Sequence, residues 1–177
     1  DLGNFQEFKG AKLNYSNKQF GNEIFIESYG LIEEKGINQQ DINVKFEYDI
    51  PVFFQSQSDA TMSFDVFSAS FYLVSRYEEY LPFVKDAHQR FQAENALAYK
   101  HGFLQKPLVN IWAKMLIEKI KNQHPKLAII SPEYNFISTI DIDNAFFYLE
   151  KGFVRSLAGF LKSIFSLDFT GLKQRMA

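Results

Sequence analysis

Two carboxylates stand one residue apart in Thr139-Ile140-Asp141-Ile142-Asp143-Asn144. The run before them, Phe136 to Ile142, is apolar and β-branched and reads as a strand. Acids at the C-terminal end of a buried strand stand where α/β enzymes place metal ligands and bases. A carboxylate pair suits a hard divalent cation, or one acid can hold metal while the other moves a proton. The same acids also suit a plainer role, solvating the strand end or capping the helix that follows. Asp-x-Asp is short and common, so the pattern leaves both readings open.

A second group lies upstream. Arg76, Tyr77, Glu78, Glu79 and Tyr80 are followed by Asp86, His88, Arg90, Glu94 and His101. Aromatic faces can stack on a sugar while charged groups bond its hydroxyls. On that reading Arg76, Tyr77, Glu78 and His101 are the candidate substrate-binding residues. The alternative is a helix end laced with ion pairs, followed by a loop pinned to the core by Phe91, Leu97 and Phe103. His101, placed before Gly102, also suits a turn.

A third segment, residues 151–165, aligns Val154, Leu157, Ala158, Leu161, Ile164 and Phe165 on one helical face, with Arg155 and Lys162 off it. Such a stripe can lie on an anionic membrane or face a core. Its modest charge density favours the core, and membrane contact is not expected.

These groups need a scaffold. Short strands are expected at Lys12–Tyr15, Glu23–Ser28, Asp41–Tyr48 and Pro51–Gln55, with Ile42, Val44 and Phe46 sharing one face of the third. Residues 56–63 read as a loop, after which Ser63 or Asp65 can cap a helix. That helix is expected to run from Asp65 to Tyr80, on Phe67, Phe71, Val74 and Tyr77, and to end at Leu81-Pro82. Residues 83–106 have no clear period and read as a long ordered loop with one short helix. The clearest helix is Pro107–Gln123, where Leu108, Ile111, Trp112, Met115, Leu116, Lys119 and Ile120 fall at helical spacing. A further strand is expected at Leu127–Ile130. Strands come early and helices late, which predicts an α+β fold: a mixed sheet from the N-terminal third, covered by two or three amphipathic helices.

The composition narrows the function classes. Nearly half of the 177 residues are hydrophobic, and 20 are Phe against one Trp, so a sizeable core is expected. A net charge of -2 argues against a nucleic-acid binder. With no cysteine there are no disulfides or thiolate metal sites, and His88, His101 and His124 are scattered. Residues 151–177 carry a local charge of +4, leaving -6 on the rest; this shift supports a boundary between Asn135 and Glu150. No leader-like segment precedes the strands, and the chain opens on Asp1 rather than Met, as a piece of a longer protein would.

Several blocks together resemble the N-terminal region of bacterial, Bacteroidetes-type polysaccharide-deacetylase-like proteins. They are Ser70–Pro82 (SFYLVSRYEEYLP), Asp86, Arg90-Phe91, Glu94–Ala98, His101–Leu104, Pro107–Val109 and Thr139–Ala145. The resemblance covers most of the chain from about residue 10. It implies an accessory domain over residues 1–135 and, over 136–177, the first strand and helix of a NodB-type deacetylase domain, a distorted (β/α) barrel. It also implies that Asp141 is the general base and Asp143 a ligand of a divalent metal, zinc or similar, in the full-length protein. The family pattern has adjacent acids, whereas here Ile142 separates them. The paired histidines of its His-x-x-x-His motif do not occur, so no metal and no catalysis are expected of this chain alone. The implied partners are its own C-terminal barrel and a polysaccharide, and the implied location is the bacterial cytoplasm. Two rivals remain: a glycan- or protein-binding module with no catalytic role, and a small metal-dependent phosphohydrolase or nuclease built on Asp141 and Asp143.

Overall fold

A computed structural model of the chain describes residues 2–130, 133–141, 157–158 and 162. The chain divides into two compact units, Asp1–Ile129 and Ile130–Ala177. The first unit is mixed α+β, the class its pattern predicts. Its elements are α1 (Leu2–Glu7), β1 (Leu13–Ser16), β2 (Ile24–Glu27), β3 (Lys45–Glu47), β4 (Ile50–Val52), α2 (Val66–Val74), α3 (Leu97–Lys100) and α4 (Leu108–Gln123). Single 3-10 turns stand at Leu31–Glu33, Tyr77–Tyr80 and Ala93–Asn95.

The strands form two separate ladders rather than one mixed sheet. β1 and β2 pair in parallel, with Leu13 opposite Ile24 and Ser16 opposite Glu27. Parallel neighbours usually need a crossover of about a dozen residues. Here a short loop suffices because both strands are short and Asn14 staples the connection: its Nδ2 donates to Lys18 O (2.8 Å) and Glu23 Oε1 (2.9 Å). Glu23 Oε1 also accepts from Phe20 N at 2.7 Å. The outer edge of β2 is taken by the loop after β4, since Thr61 N donates to Phe25 O (2.8 Å) and Phe25 N to Thr61 Oγ1 (2.9 Å). Phe25 is thus engaged on the outer edge of β2, and all of Ile24, Phe25 and Ile26 are buried.

β3 and β4 form an antiparallel hairpin. The expected strand Asp41–Tyr48 shrinks to three residues because Tyr48 (φ 48°) and Asp49 (φ 65°) fold into a left-handed two-residue turn. Phe46, expected to share a buried face with Ile42 and Val44, is exposed; those two are partly buried.

Asp65 caps α2, its Oδ1 accepting from Phe67 N (3.0 Å) and Ser68 N (2.9 Å). The helix then stops at Val74, not at Leu81-Pro82, because Arg76 adopts a left-handed backbone (φ 55°). This break changes the buried face. Val66, Ser68, Ala69 and Tyr72 point inward, whereas Phe71 and Val74, assigned to the core stripe by a period read through the break, are exposed. Tyr77 reaches the core only because the left-handed turn re-aims it.

α4 buries Leu108 and Trp112 of its expected stripe; the other apolar members are partly buried and Lys119 is exposed. Trp112 is fully buried, donates Nε1–H to Pro51 O (3.0 Å), and meets Phe53 and Phe64 at ring distances of 5.5 and 5.2 Å. Phe53 also meets Tyr72 edge-on at 5.9 Å. The core is thus an aromatic cluster between the hairpin, α2 and α4.

The strand expected at Leu127–Ile130 does not form. In the second unit, residues 133–141 have no regular secondary structure and are all exposed, so the strand expected at Phe136–Ile142 is absent over its described residues. β-branched propensity does not make a strand without a partner edge. Of the basic tail, Leu157, Ala158 and Lys162 are helical, the first two and Lys162 all exposed; the rest lies outside the described residues. Among the described residues no helix is long and apolar enough to cross a membrane.

Candidate functional site

The turn after α2 builds one wall of a cavity of about 210 Å³, lined by Gln39, Tyr72, Glu78, Leu81, Pro82, Phe83, Val84, Phe91, Asn95 and Lys100. Each polar group arrives through a specific local device. Tyr72 comes from the buried face of α2, and its hydroxyl has no hydrogen-bond partner among the described residues. Glu78 comes from the 3-10 turn that the left-handed Arg76 sets up, and its Oε1 accepts the N–H of Leu97 at the start of α3 (2.8 Å). That bond also fixes the start of α3, whose Lys100 joins the lining.

Tyr77 positions this arrangement. Its hydroxyl donates to Asn38 O (3.0 Å) and accepts from Asn38 N (2.9 Å), which pins the segment carrying Gln39. Its ring stacks on Tyr72 at 5.2 Å. The apolar side is held by an edge-to-face contact of Phe83 and Phe91 at 5.1 Å. The loop between them is closed by Asp86, whose Oδ1 accepts from His88 N (2.7 Å) and Arg90 N (2.8 Å).

The electrostatics follow from burial. Burial raises the Tyr72 phenol well above its ordinary value, and the charge of Glu78 adds to this. Burial also pushes the Glu78 carboxyl up, with Glu79 adding; the Leu97 N–H and Lys100 pull the other way without cancelling it. Tyr72 therefore keeps its proton and can donate it in a hydrogen bond.

The four expected substrate-binding residues part company. Only Glu78 lines the cavity. Tyr77 is buried behind it. Arg76 is exposed and pairs with Glu79 on the surface. His101 is exposed at the end of α3, its backbone N–H bonded to Leu97 O (3.1 Å) ahead of the left-handed Gly102, which is the turn role. Tyr72, Gln39, Asn95 and Lys100 were not expected as site residues. Tyr72 was hidden because the helical period assigned the buried face to its neighbours.

Asp141 is exposed in the irregular segment of the second unit, and Asp143 lies outside the described residues. Among the described residues no group of three His, Asp or Glu side chains is arranged to hold a metal ion.

The model of a family of unknown function, DUF7033, matches residues 1–125. No curated protein and no solved structure matches the chain.

Proposed function

The chain belongs to the DUF7033 family, whose function is unknown, and from the resemblance of its sequence blocks we propose that its first unit is an accessory, non-catalytic domain that holds a polysaccharide for a NodB-type deacetylase barrel following it. One observation carries this reading. The blocks Ser70–Pro82 and Glu94–Ala98, which resemble deacetylase-associated N-terminal regions, contribute Tyr72, Glu78, Leu81, Pro82 and Asn95 to the same cavity. At about 210 Å³ it is smaller than the roughly 300–1,000 Å³ taken by drug-sized ligands, so it suits one ring of a chain.

In this reading the Tyr72 hydroxyl and Glu78 bond the hydroxyls of a sugar, and the Phe83 and Phe91 rings take its apolar face. The acidic motif Thr139–Asp143 begins the barrel. By that resemblance Asp141 would serve as its base, and Asp143 would help hold a divalent metal such as zinc in the full-length protein. The partners are that barrel and an N-acetylated polysaccharide.

Isothermal titration of N-acetylglucosamine tetramer into the chain tests the proposal. Wild type binds, and Tyr72→Phe weakens binding about fivefold, as loss of one neutral hydrogen bond should. No binding by wild type would sink it.

A further inference from the structure

We infer that Glu78 is a specificity-determining residue: the cavity accepts an uncharged, hydroxyl-bearing ring and rejects an anionic one. The inference rests on the glycan reading and adds its charge selection. Glu78 is half-buried in the wall, with one oxygen held by the Leu97 N–H. It cannot swing away without uncapping α3. The other groups facing the space, Tyr72, Gln39 and Asn95, are neutral and can serve hydroxyls and amides. Lys100 is the one cation in the lining, and its charge already acts on Glu78. Glu79 also acts on Glu78, but Arg76 pairs with it on the surface and offsets its charge.

A ligand carboxylate would therefore meet Glu78 at short range with no second cation to offset it. Like charges a few ångströms apart in a partly desolvated wall repel far more than they would in water. Lys100 is solvent-exposed whereas Glu78 is half-buried, so a ligand ammonium would gain more from Glu78 than it loses to Lys100. A neutral ring meets neither penalty and can bond the Tyr72 hydroxyl and the other polar groups of the lining, of which Asn95 Nδ2 also donates to Val84 O (3.3 Å).

The test is titration of the whole chain with three oligosaccharides of equal length: neutral N-acetylated, uronate-bearing, and de-N-acetylated. At neutral pH the uronate form should bind about tenfold more weakly than the neutral one. Glu78→Gln keeps the oxygen that caps Leu97 and removes the charge, so it should narrow that gap to about threefold or less. Equal or tighter uronate binding by wild type overturns the charge selection while leaving the glycan reading in place. A gap unchanged in a folded Glu78→Gln protein removes Glu78 from the role. If none of the three binds, the glycan reading itself falls, and the inference with it.

Discussion

Asp65 and Glu78 show how the surroundings of a carboxylate decide its use. Asp65 is almost fully buried, yet both oxygens are satisfied: Oδ1 by Phe67 N and Ser68 N, Oδ2 by Tyr15 Oη and Tyr29 N, each at 2.8 Å. It ties β1, the turn after β2 and α2 to one point. Asp65→Ala should cost about 2–4 kcal/mol in chemical denaturation, since it strands several buried donors and removes a helix cap. Glu78 has one protein donor and an open side. Its raised folded-state value means its contribution to stability is fully present below the ordinary value of 4.5 and is lost as pH rises through the folded value. Glu78→Gln should therefore raise the melting temperature at pH 7 and leave it little changed near pH 4, read by thermal scans at the two pH values.

At the scale of elements, the hairpin and α4 behave differently. The Tyr48-Asp49 turn places two non-glycine residues in the left-handed region, where each carries a strain of about 1 kcal/mol. Asp49→Gly should stabilise the chain by roughly 0.5–1 kcal/mol, measured as a shift in urea midpoint. Lys106 Nζ accepts no such substitute role; it donates to the Asp49 carbonyl at 3.0 Å, a bond that glycine retains. α4 depends on one side chain. Trp112→Ala opens a cavity among Phe53 and Phe64 and orphans Pro51 O, so a loss of about 3–5 kcal/mol is expected. Because Trp112 is the single tryptophan, Trp112→Phe serves as the milder control.

Across the whole molecule, acid should act through the loops around β2. Burial tends to raise Glu23 and Glu27. The hydrogen bonds from Phe20 N and Asn14 to the first, and from Gln57 N and Ser58 to the second, outweigh it and hold both below 4.5. Their contribution is present above 4.5 and lost as pH falls through their folded values. Urea midpoints should fall below about pH 4.5, and Glu23→Gln should flatten that slope. The division of the chain at Ile129 gives a further expectation: residues 1–129, expressed alone, unfold in a single cooperative transition by circular dichroism.

The sequence by itself determined the α+β class, the positions of β1 and β2 to within a residue, a cap at Ser63 or Asp65, and the α4 helix. These are local properties: alternation, a capping side chain, and a helical period long enough to be unambiguous. Tertiary structure decided the rest. The left-handed Arg76 ended α2 six residues before its last expected residue, and so chose Tyr72 rather than Phe71 for the interior. Glu78 stood among four charged and aromatic neighbours, Arg76, Tyr77, Glu79 and Tyr80, that a pattern could not rank. It lines the cavity because its carboxylate caps a helix 19 residues further on. Such contacts depend on which segments meet in space, and residue spacing along the chain does not encode that.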